Sequence, residues 1–299
     1  MKKLFAATSV LAVSALLLAG CANATPTETK SAAGAGVDSA AAALLPDTYK
    51  SAGINVGSDI PYAPMEMFDS NNNPIGFDVD IANAIGEKLG VSIKFEQQAF
   101  DTLIPSLQSG KHDLAISSMS DTVERQKVLD FVDYFNGGAS LLVKAGNTTI
   151  KGIADLCGQP AAAEAATWEV DLLKSQSDEC VKAGKKPITI QNLPNDPSAL
   201  SAVKAGNAVA YLGDSQVIAY DVKNAGGGKD FELVIDPSAP NGYDAGLIGI
   251  GVLKKNTGLR DAVQAALQSI MDDGTYDKLL TKWNLNSFMV DSATVNGTK

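Results

Sequence analysis

From Ile54 onward, short apolar segments alternate with amphipathic ones, and this alternation restricts the chain to folds that pack helices against a sheet. Apolar residues four apart, from Ile81 to Leu89, predict a helix that ends at Gly90. The same patterns predict strands at Ile54, over 91–95 and over 114–116, and a helix over 103–109. This order favours an α/β fold over a helical bundle or a β-sandwich.

Two segments of the chain repeat one pattern. Residues 103–118 and 199–214 both contain a predicted helix, a glycine cap, a short strand and a polar end. Ser118 and Asp214 occupy equivalent positions at the carboxyl ends of their strands, where open α/β sheets bind ligands. We therefore predict two similar lobes with a shared cleft, followed by a strand over 246–253 and two closing helices that pack on a lobe.

The first residues are typical of an export signal. Lys2 and Lys3 precede an apolar run from Leu4 to Leu18, and small residues lie just before Cys21. Leu-Ala-Gly-Cys at 18–21 resembles the lipobox of bacterial lipoproteins, which implies that residues 1–20 are removed and Cys21 is acylated. The alternative is an ordinary secretory signal with a free cysteine. No later apolar stretch reaches the roughly 20 residues of a membrane-spanning helix, so we expect a soluble body held to the bilayer by lipid.

Residues 21–46 are rich in Ala, Ser, Thr and Gly, which predicts a flexible tether. The formal net charge of −10 offers no basic surface for nucleic acid. One histidine and three cysteines leave a zinc site short of ligands, and we expect neither metal nor cofactor. Cys157 and Cys180, in an exported chain, predict a disulfide. A redox pair is the alternative, but the spacing is not Cys-x-x-Cys.

Arg125 is one of only two arginines, and it follows the polar strand end at Ser117–Ser120. We predict it in the first turn of a helix capped by Thr122, where a guanidinium beside free N–H groups favours a carboxylate. A surface ion pair is the alternative. Asp214 would supply the opposite charge across the cleft, an arrangement that suits an α-amino acid. Tyr62 follows the first strand and is a candidate wall of the cleft, unless it is a core or loop aromatic.

Several motifs together resemble one family, the polar amino-acid solute-binding proteins of ABC importers. They are Gly-Ser-Asp-Ile-Pro-Tyr-Ala-Pro at 57–64, Gly-Phe-Asp-Val-Asp at 76–80, Leu-Ile-Pro-Ser-Leu-Gln-Ser-Gly at 103–110, Ser-Ser-Met-Ser at 117–120, and Glu-Arg at 124–125 followed by Asp-Phe at 130–131. The resemblance implies the type II periplasmic-binding-protein fold, in which two α/β lobes joined by two crossing strands close around the ligand.

The resemblance also implies the division of the chain. Residues 138–144 and 244–250 match the crossing strands. The first lobe would comprise 47–140 and 246–290, the second lobe 141–245, and residues 291–299 would be a flexible tail.

Residue roles follow from the same resemblance. Arg125 with Ser118 and Ser120 resembles the site for the ligand's α-carboxylate, and Asp214 the acceptor of its α-ammonium group. Tyr62 resembles the stacking wall, and Asp59 the group that contacts the ligand side chain.

One turn departs from the family pattern. Where the family has a Gln-Gly-Thr-Thr-like turn, this chain has Glu-Ala-Ala-Thr-Trp-Glu at 164–169, so the hydroxyl contacts differ, although the N–H of Trp168 can still reach a carboxylate. Asp59, Glu164 and Glu169 would place negative charge near the ligand side chain. We therefore expect a basic or polar ligand: arginine, lysine, ornithine, histidine or glutamine. The alternative is that both glutamates face solvent.

These observations predict a monomeric, lipid-anchored, extracytoplasmic receptor that delivers an amino acid to a membrane permease, with no catalytic residue. Two alternatives remain: an enzyme on the same fold, such as a cyclohexadienyl-dehydratase-like protein, and a lipoprotein that senses a ligand or recognises a partner protein.

Overall fold

The computed structural model describes residues 36–240 and 242–299. The predicted signal peptide, Cys21 and most of the predicted tether lie outside the described residues. Among the residues described, no helix combines the length and the apolar character needed to cross a membrane.

Helices and strands alternate along the described chain. The helices are α1 Ser39–Leu44, α2 Asp47–Ala52, α3 Phe77–Leu89, α4 Leu103–Gln108, α5 Trp168–Lys182, α6 Asp196–Ala205, α7 Ser215–Asn224, α8 Thr257–Asp272 and α9 Thr275–Trp283. The strands are β1 Ile54–Ser58, β2 Met67–Phe68, β3 Pro74–Ile75, β4 Ile93–Gln97, β5 Leu114–Ala115, β6 Leu129–Lys144, β7 Pro160–Glu164, β8 Thr189–Leu193, β9 Ala210–Asp214, β10 Phe231–Val234, β11 Tyr243–Leu253 and β12 Thr294–Val295.

One sheet runs through the molecule in the order β4-β1-β5-β11-β6-β9-β7-β8, with β10 and β12 also paired to β6. Strand β1 pairs in parallel with β4 and β5, and β7 pairs in parallel with β8 and β9. The long strands β6 and β11 run antiparallel between these two parallel groups. The predicted crossing segments lie in these two strands. The α/β prediction is confirmed, whereas the lobe boundaries at 140 and 245 stay a prediction.

Each half of the sheet has its own apolar core. In the first half, α3 and α8 cover the sheet, and Phe77, Ile81 and Leu267 are each 0% exposed. In the second half, α5 packs on β7 and β9, with Leu173 buried among their side chains. The predicted disulfide between Cys157 and Cys180 is present and ties α5 to the segment that precedes β7.

A helix forms within the predicted tether. Asp38 caps α1 by accepting hydrogen bonds from the N–H groups of Ala40 and Ala41, at 2.9 and 3.2 Å. Ala41 and Leu45 are buried against the first core, because the Ala- and Leu-rich end of the segment provides an apolar face. The sequence prediction missed this helix because it weighed composition alone.

The predicted flexible tail, 291–299, pairs with the sheet. Strand β12 lies antiparallel to β6. The buried carboxylate of Asp133 accepts hydrogen bonds from Thr294 Oγ1 at 2.7 Å and from the N–H of Gly297 at 2.9 Å. The tail also reaches Asp121, which accepts from the N–H of Thr298 at 3.0 Å. A buried carboxylate requires donors, and the tail supplies them.

Candidate functional site

A pocket lies where the carboxyl ends of β1, β5, β7 and β9 meet. Its lining consists of Asp59, Tyr62, Phe100, Ser117, Ser118, Ser120, Glu164, Thr167, Trp168, Glu169 and Asp214. Every predicted ligand-binding residue except Arg125 is in this set. A pocket that combines aromatic walls with a few convergent polar groups is typical of a small-molecule site.

The first half of the sheet places Asp59 and the serines. The N–H of Asp59, just after β1, donates to Ser117 Oγ at 2.9 Å, and Asp59 Oδ2 accepts from the N–H of Phe100 at 3.2 Å. Phe100 and Ser117 were not predicted as site residues. A sequence signal existed for both, since each follows a strand, β4 or β5, whose carboxyl end lies beside that of β1.

Ser118 has a backbone φ of 44°, which is uncommon for a residue other than glycine. Its N–H donates to Asp78 Oδ2 at 2.8 Å, and Asp78 Oδ1 accepts from Tyr134 Oη at 2.6 Å. Asp78 is buried in the first turn of α3. This network holds Ser118 with its hydroxyl towards the second half of the sheet.

The side chains of Ser118 and Asp214 are in direct contact, as their equivalent positions in the two lobes predict. Ser118 Oγ donates to Asp214 Oδ2 at 2.7 Å, which joins the ends of β5 and β9. Gln216 Nε2, in the first turn of α7, donates to both, at 3.0 Å to Ser118 Oγ and 3.2 Å to Asp214 Oδ2. Burial raises the pKa of Asp214, and the hydrogen bond from Ser118 opposes that rise.

Arg125 borders the pocket. Its guanidinium donates to the carbonyl oxygens of Ser120 at 2.9 Å and Ala166 at 3.1 Å, and it lies 5.3 Å from the ring centre of Phe100. The predicted helix at Arg125 is only a 3₁₀ turn, Arg125–Lys127, although Thr122 Oγ1 does accept from the N–H of Arg125. A 3₁₀ turn does not provide a regular helix N-terminus, so the guanidinium is the positive group at this position.

The turn at 164–169, which departs from the family pattern, faces the pocket. Glu164 is 5% exposed and Glu169 3% exposed, so the alternative in which both glutamates face solvent does not hold. Ala166, at a φ of 65°, makes the turn, and Thr167 Oγ1 donates to the carbonyl of Glu164 at 2.8 Å. The Thr167 side chain does not cap α5, and the N–H of Glu169 in its first turn bonds to the Glu169 carboxyl, so this helix start already favours a carboxyl group.

The buried carboxyls of the pocket lie close enough to raise one another's pKa values. Burial and a hydrogen bond with Asp59 raise the pKa of Glu164 to about 11, and burial raises that of Asp59. Burial and the neighbouring Asp214 raise the pKa of Glu169 well above its usual value. The pocket therefore has an excess of acidic groups over the guanidinium of Arg125, and burial and mutual repulsion favour the protonated forms of these groups.

Comparison with known proteins gives consistent matches. Residues 54–286 match the sequence profile of the bacterial extracellular solute-binding proteins, family 3. The chain is 28% identical over 258 residues to the arginine-binding protein ArgT of Corynebacterium glutamicum, a match that covers 85% of this chain and 82% of that protein. It is 33% identical over 232 residues to the ABC transporter arginine-binding protein 1 of Escherichia coli K12, covering 77% and 90%. A solved structure, an ancestral arginine-binding protein bound to arginine, superposes with a TM-score of 0.68 at 34% identity, covering 77% of this chain and 97% of that one.

Proposed function

The chain belongs to the bacterial extracellular solute-binding proteins, family 3, and from that membership we propose that it binds a cationic amino acid and delivers it to the permease of an ABC importer. The predicted resemblance and the two-lobed type II periplasmic-binding-protein fold are confirmed. The curated relatives described above are binding proteins rather than enzymes.

The observation that carries the proposal is the division of charge around the pocket. Arg125 and the first turn of α5 lie at one side, where a carboxylate fits. Asp214 and Glu169 lie close to Arg125, at the position for an α-ammonium group. An amino acid satisfies both ends at once, since it carries the two opposite charges on neighbouring atoms.

The far side of the pocket favours a positive side chain. Asp59 and Glu164 form an acidic end there. Tyr62, Phe100 and Trp168 contribute aromatic walls, and such walls suit the alkyl stem and planar charge of arginine. We rank arginine first, then lysine, ornithine and histidine, with glutamine as the neutral member of the set.

Calorimetric titration of the mature protein tests this function. Ligand carried over from the host is first removed by unfolding and refolding, and the twenty amino acids, ornithine and citrulline are then titrated. We expect saturable binding of arginine and weaker binding of glutamine and glutamate. Glutamate binding more tightly than both glutamine and arginine would contradict the proposed ligand class. If none of the compounds produced a binding signal, the result would contradict amino-acid binding.

The same proposal includes attachment to the membrane through acylated Cys21, followed by a tether that confines the receptor near its permease. Replacing Cys21 with serine is expected to move the protein from the membrane fraction to the soluble exported fraction and to abolish fatty-acid labelling. Unchanged labelling would contradict acylation at this residue. The enzyme alternative predicts conversion of a prephenate-like or arogenate-like compound, which product analysis of the same preparation would detect.

A further inference from the structure

The four carboxyls of the pocket form two pairs. The distal pair is Asp59 and Glu164, and the proximal pair is Glu169 and Asp214. Within each pair the two carboxyls lie within hydrogen-bonding distance. Each of the four side chains belongs to a residue that is at most 8% exposed. The two pairs line one pocket, and the guanidinium of Arg125 borders it.

Two buried carboxylates in contact repel each other, which favours one shared proton in each pair; at the proximal pair the single charge of Arg125 balances only the one carboxylate that remains. The hydrogen bonding agrees with this state. Oε1 of Glu169 is buried and receives no donor from any residue that the structure describes, and a proton shared with Asp214 supplies one. The contact between Asp59 and Glu164 likewise requires a hydrogen that only a carboxylic acid can provide.

The charged residues that face the distal pair do not relieve its charge, although the N–H of Phe100 donates a hydrogen bond to Asp59 Oδ2. Asp101 and Glu66 face Asp59, and Asp196 faces Glu164, so these neighbours are all acidic.

The proximal pair has mixed neighbours. Arg125 lies on one side, and Asp78, Tyr62 and Tyr211 lie on the others. Arg125 is therefore the cation that faces the proximal pair, and in the proposed complex the ligand's carboxylate binds to it.

We propose that a cationic amino acid enters this pocket in exchange for two protons, one from each pair, and that Glu164 thereby determines the preference for a positively charged side chain. The inference rests on the proposed function and deepens it. The α-ammonium group replaces the proton of the proximal pair, the side-chain cation replaces that of the distal pair, and both protons pass to solvent. A pair with its proton has a charge of −1, and two carboxylates with one ligand cation also sum to −1, so the exchange leaves the local charge unchanged.

Neutral side chains cannot make this exchange. Citrulline has the shape of arginine with an uncharged end, so it leaves the distal pair protonated. It therefore releases one proton fewer and gains no charge-assisted contact there. This difference gives a readout that a simple steric role of Glu164 would not produce.

Calorimetry in buffers of differing ionisation enthalpy counts the protons. At neutral pH the wild-type protein is expected to release about two protons with arginine and about one with citrulline, and arginine affinity should rise about tenfold per pH unit for each proton released. In Glu164→Gln, arginine should release about one proton fewer and bind roughly 10- to 100-fold more weakly, while the proton count with citrulline stays unchanged.

Glu179→Gln is the matched control, since Glu179 lies on α5, is exposed and pairs with Lys182. It should match the wild-type protein in both proton count and affinity. If Glu164→Gln does not fold, Asp59→Asn alters the same pair and is expected to give the same loss of one proton.

The outcomes separate the two proposals. Arginine binding with no proton release, or with the same release in the wild-type protein and Glu164→Gln, overturns the exchange and leaves the proposed function in place. Failure of every amino acid to bind overturns the proposed function and the exchange with it.

Discussion

Replacing Asp221 with asparagine is expected to stabilise the protein at neutral and alkaline pH. Asp221 on α7 and Asp196 at the start of α6 are 6% and 5% exposed, and their carboxyls lie within hydrogen-bonding distance. Among the described residues, Asp221 Oδ2 and Asp196 Oδ1 receive no donor. Burial and Asp196 raise the pKa of Asp221 to about 9, and burial raises that of Asp196 to about 6.

The sign of the effect follows from linkage. Because the folded-state pKa of Asp221 lies above the unfolded-state value, its contribution to stability is fully present at low pH and is lost as pH rises towards about 9. Each pH unit in that window costs about 1.4 kcal/mol, so the wild-type protein loses up to about 4 kcal/mol between pH 5 and pH 8 from this group. Relaxation around a buried charge reduces the effect, and we expect a difference of at least about 1.5 kcal/mol.

Urea unfolding at pH 5, 6, 7 and 8 measures the difference. Asp221→Asn should match the wild-type protein near pH 5 and exceed its free energy of unfolding progressively up to pH 8. Asp178→Asn, at an exposed position on α5, is the control and should follow the wild-type curve. Parallel pH profiles for the wild-type protein and Asp221→Asn would refute the argument that these two carboxyls share a proton.

Three further predictions concern the site and its supports. Arg125→Ala should weaken amino-acid binding by at least about 2 kcal/mol, because the ligand carboxylate would lose its charged partner, and unchanged calorimetric affinity in a folded variant would remove Arg125 from the site. Replacing Cys157 and Cys180 together with alanine should lower the free energy of unfolding by about 3 kcal/mol on the loop-entropy model, measured by urea denaturation, and an unchanged midpoint would contradict that contribution. Deleting residues 291–299 should cost about 2 kcal/mol or more, because Asp133 loses two hydrogen-bond donors; a deletion variant as stable as the full chain in the same assay would show that the tail contacts contribute nothing.

Local patterns were sufficient to predict the central part of the fold. The helix from Ile81 to Leu89 has apolar residues at regular spacing, and the predicted strand over 91–95 alternates apolar and polar residues, so burial and periodicity agree. The equivalence of Ser118 and Asp214 was also predictable, since both follow a helix, a glycine and a short strand. The tail strand was missed because residues 291–299 carry no periodic apolar pattern. Strand β12 forms by pairing with β6, which is distant in the sequence.

Site residues that directly follow a strand could be predicted from the sequence. Site residues whose positions depend on the conformation of a loop were harder to predict. Thr167 enters the pocket only because Ala166 adopts a positive φ, which alanine rarely does. Asp78 was missed for a different reason. An acidic residue in the first turn of a helix is expected to face solvent, but here it is buried and fixes the backbone of Ser118.

The proposed exchange gives a physical reason for the proposed preference for a cationic ligand, beyond the shape of the pocket. In a protonated pair, the shared proton forms the hydrogen bond between the two carboxyls. A pocket that is empty, or that holds a ligand with a neutral side chain, therefore keeps the proton of the distal pair. A ligand cation offers each pair a counter-charge, and the electrostatic energy of two buried carboxylates with a cation between them favours the exchange. An anionic side chain would add a charge beside Asp59 and Glu164, and the pocket contains no positive group on that side among the described residues. Under the proposed exchange, selection against acidic ligands therefore follows from the same residues that select for basic ones.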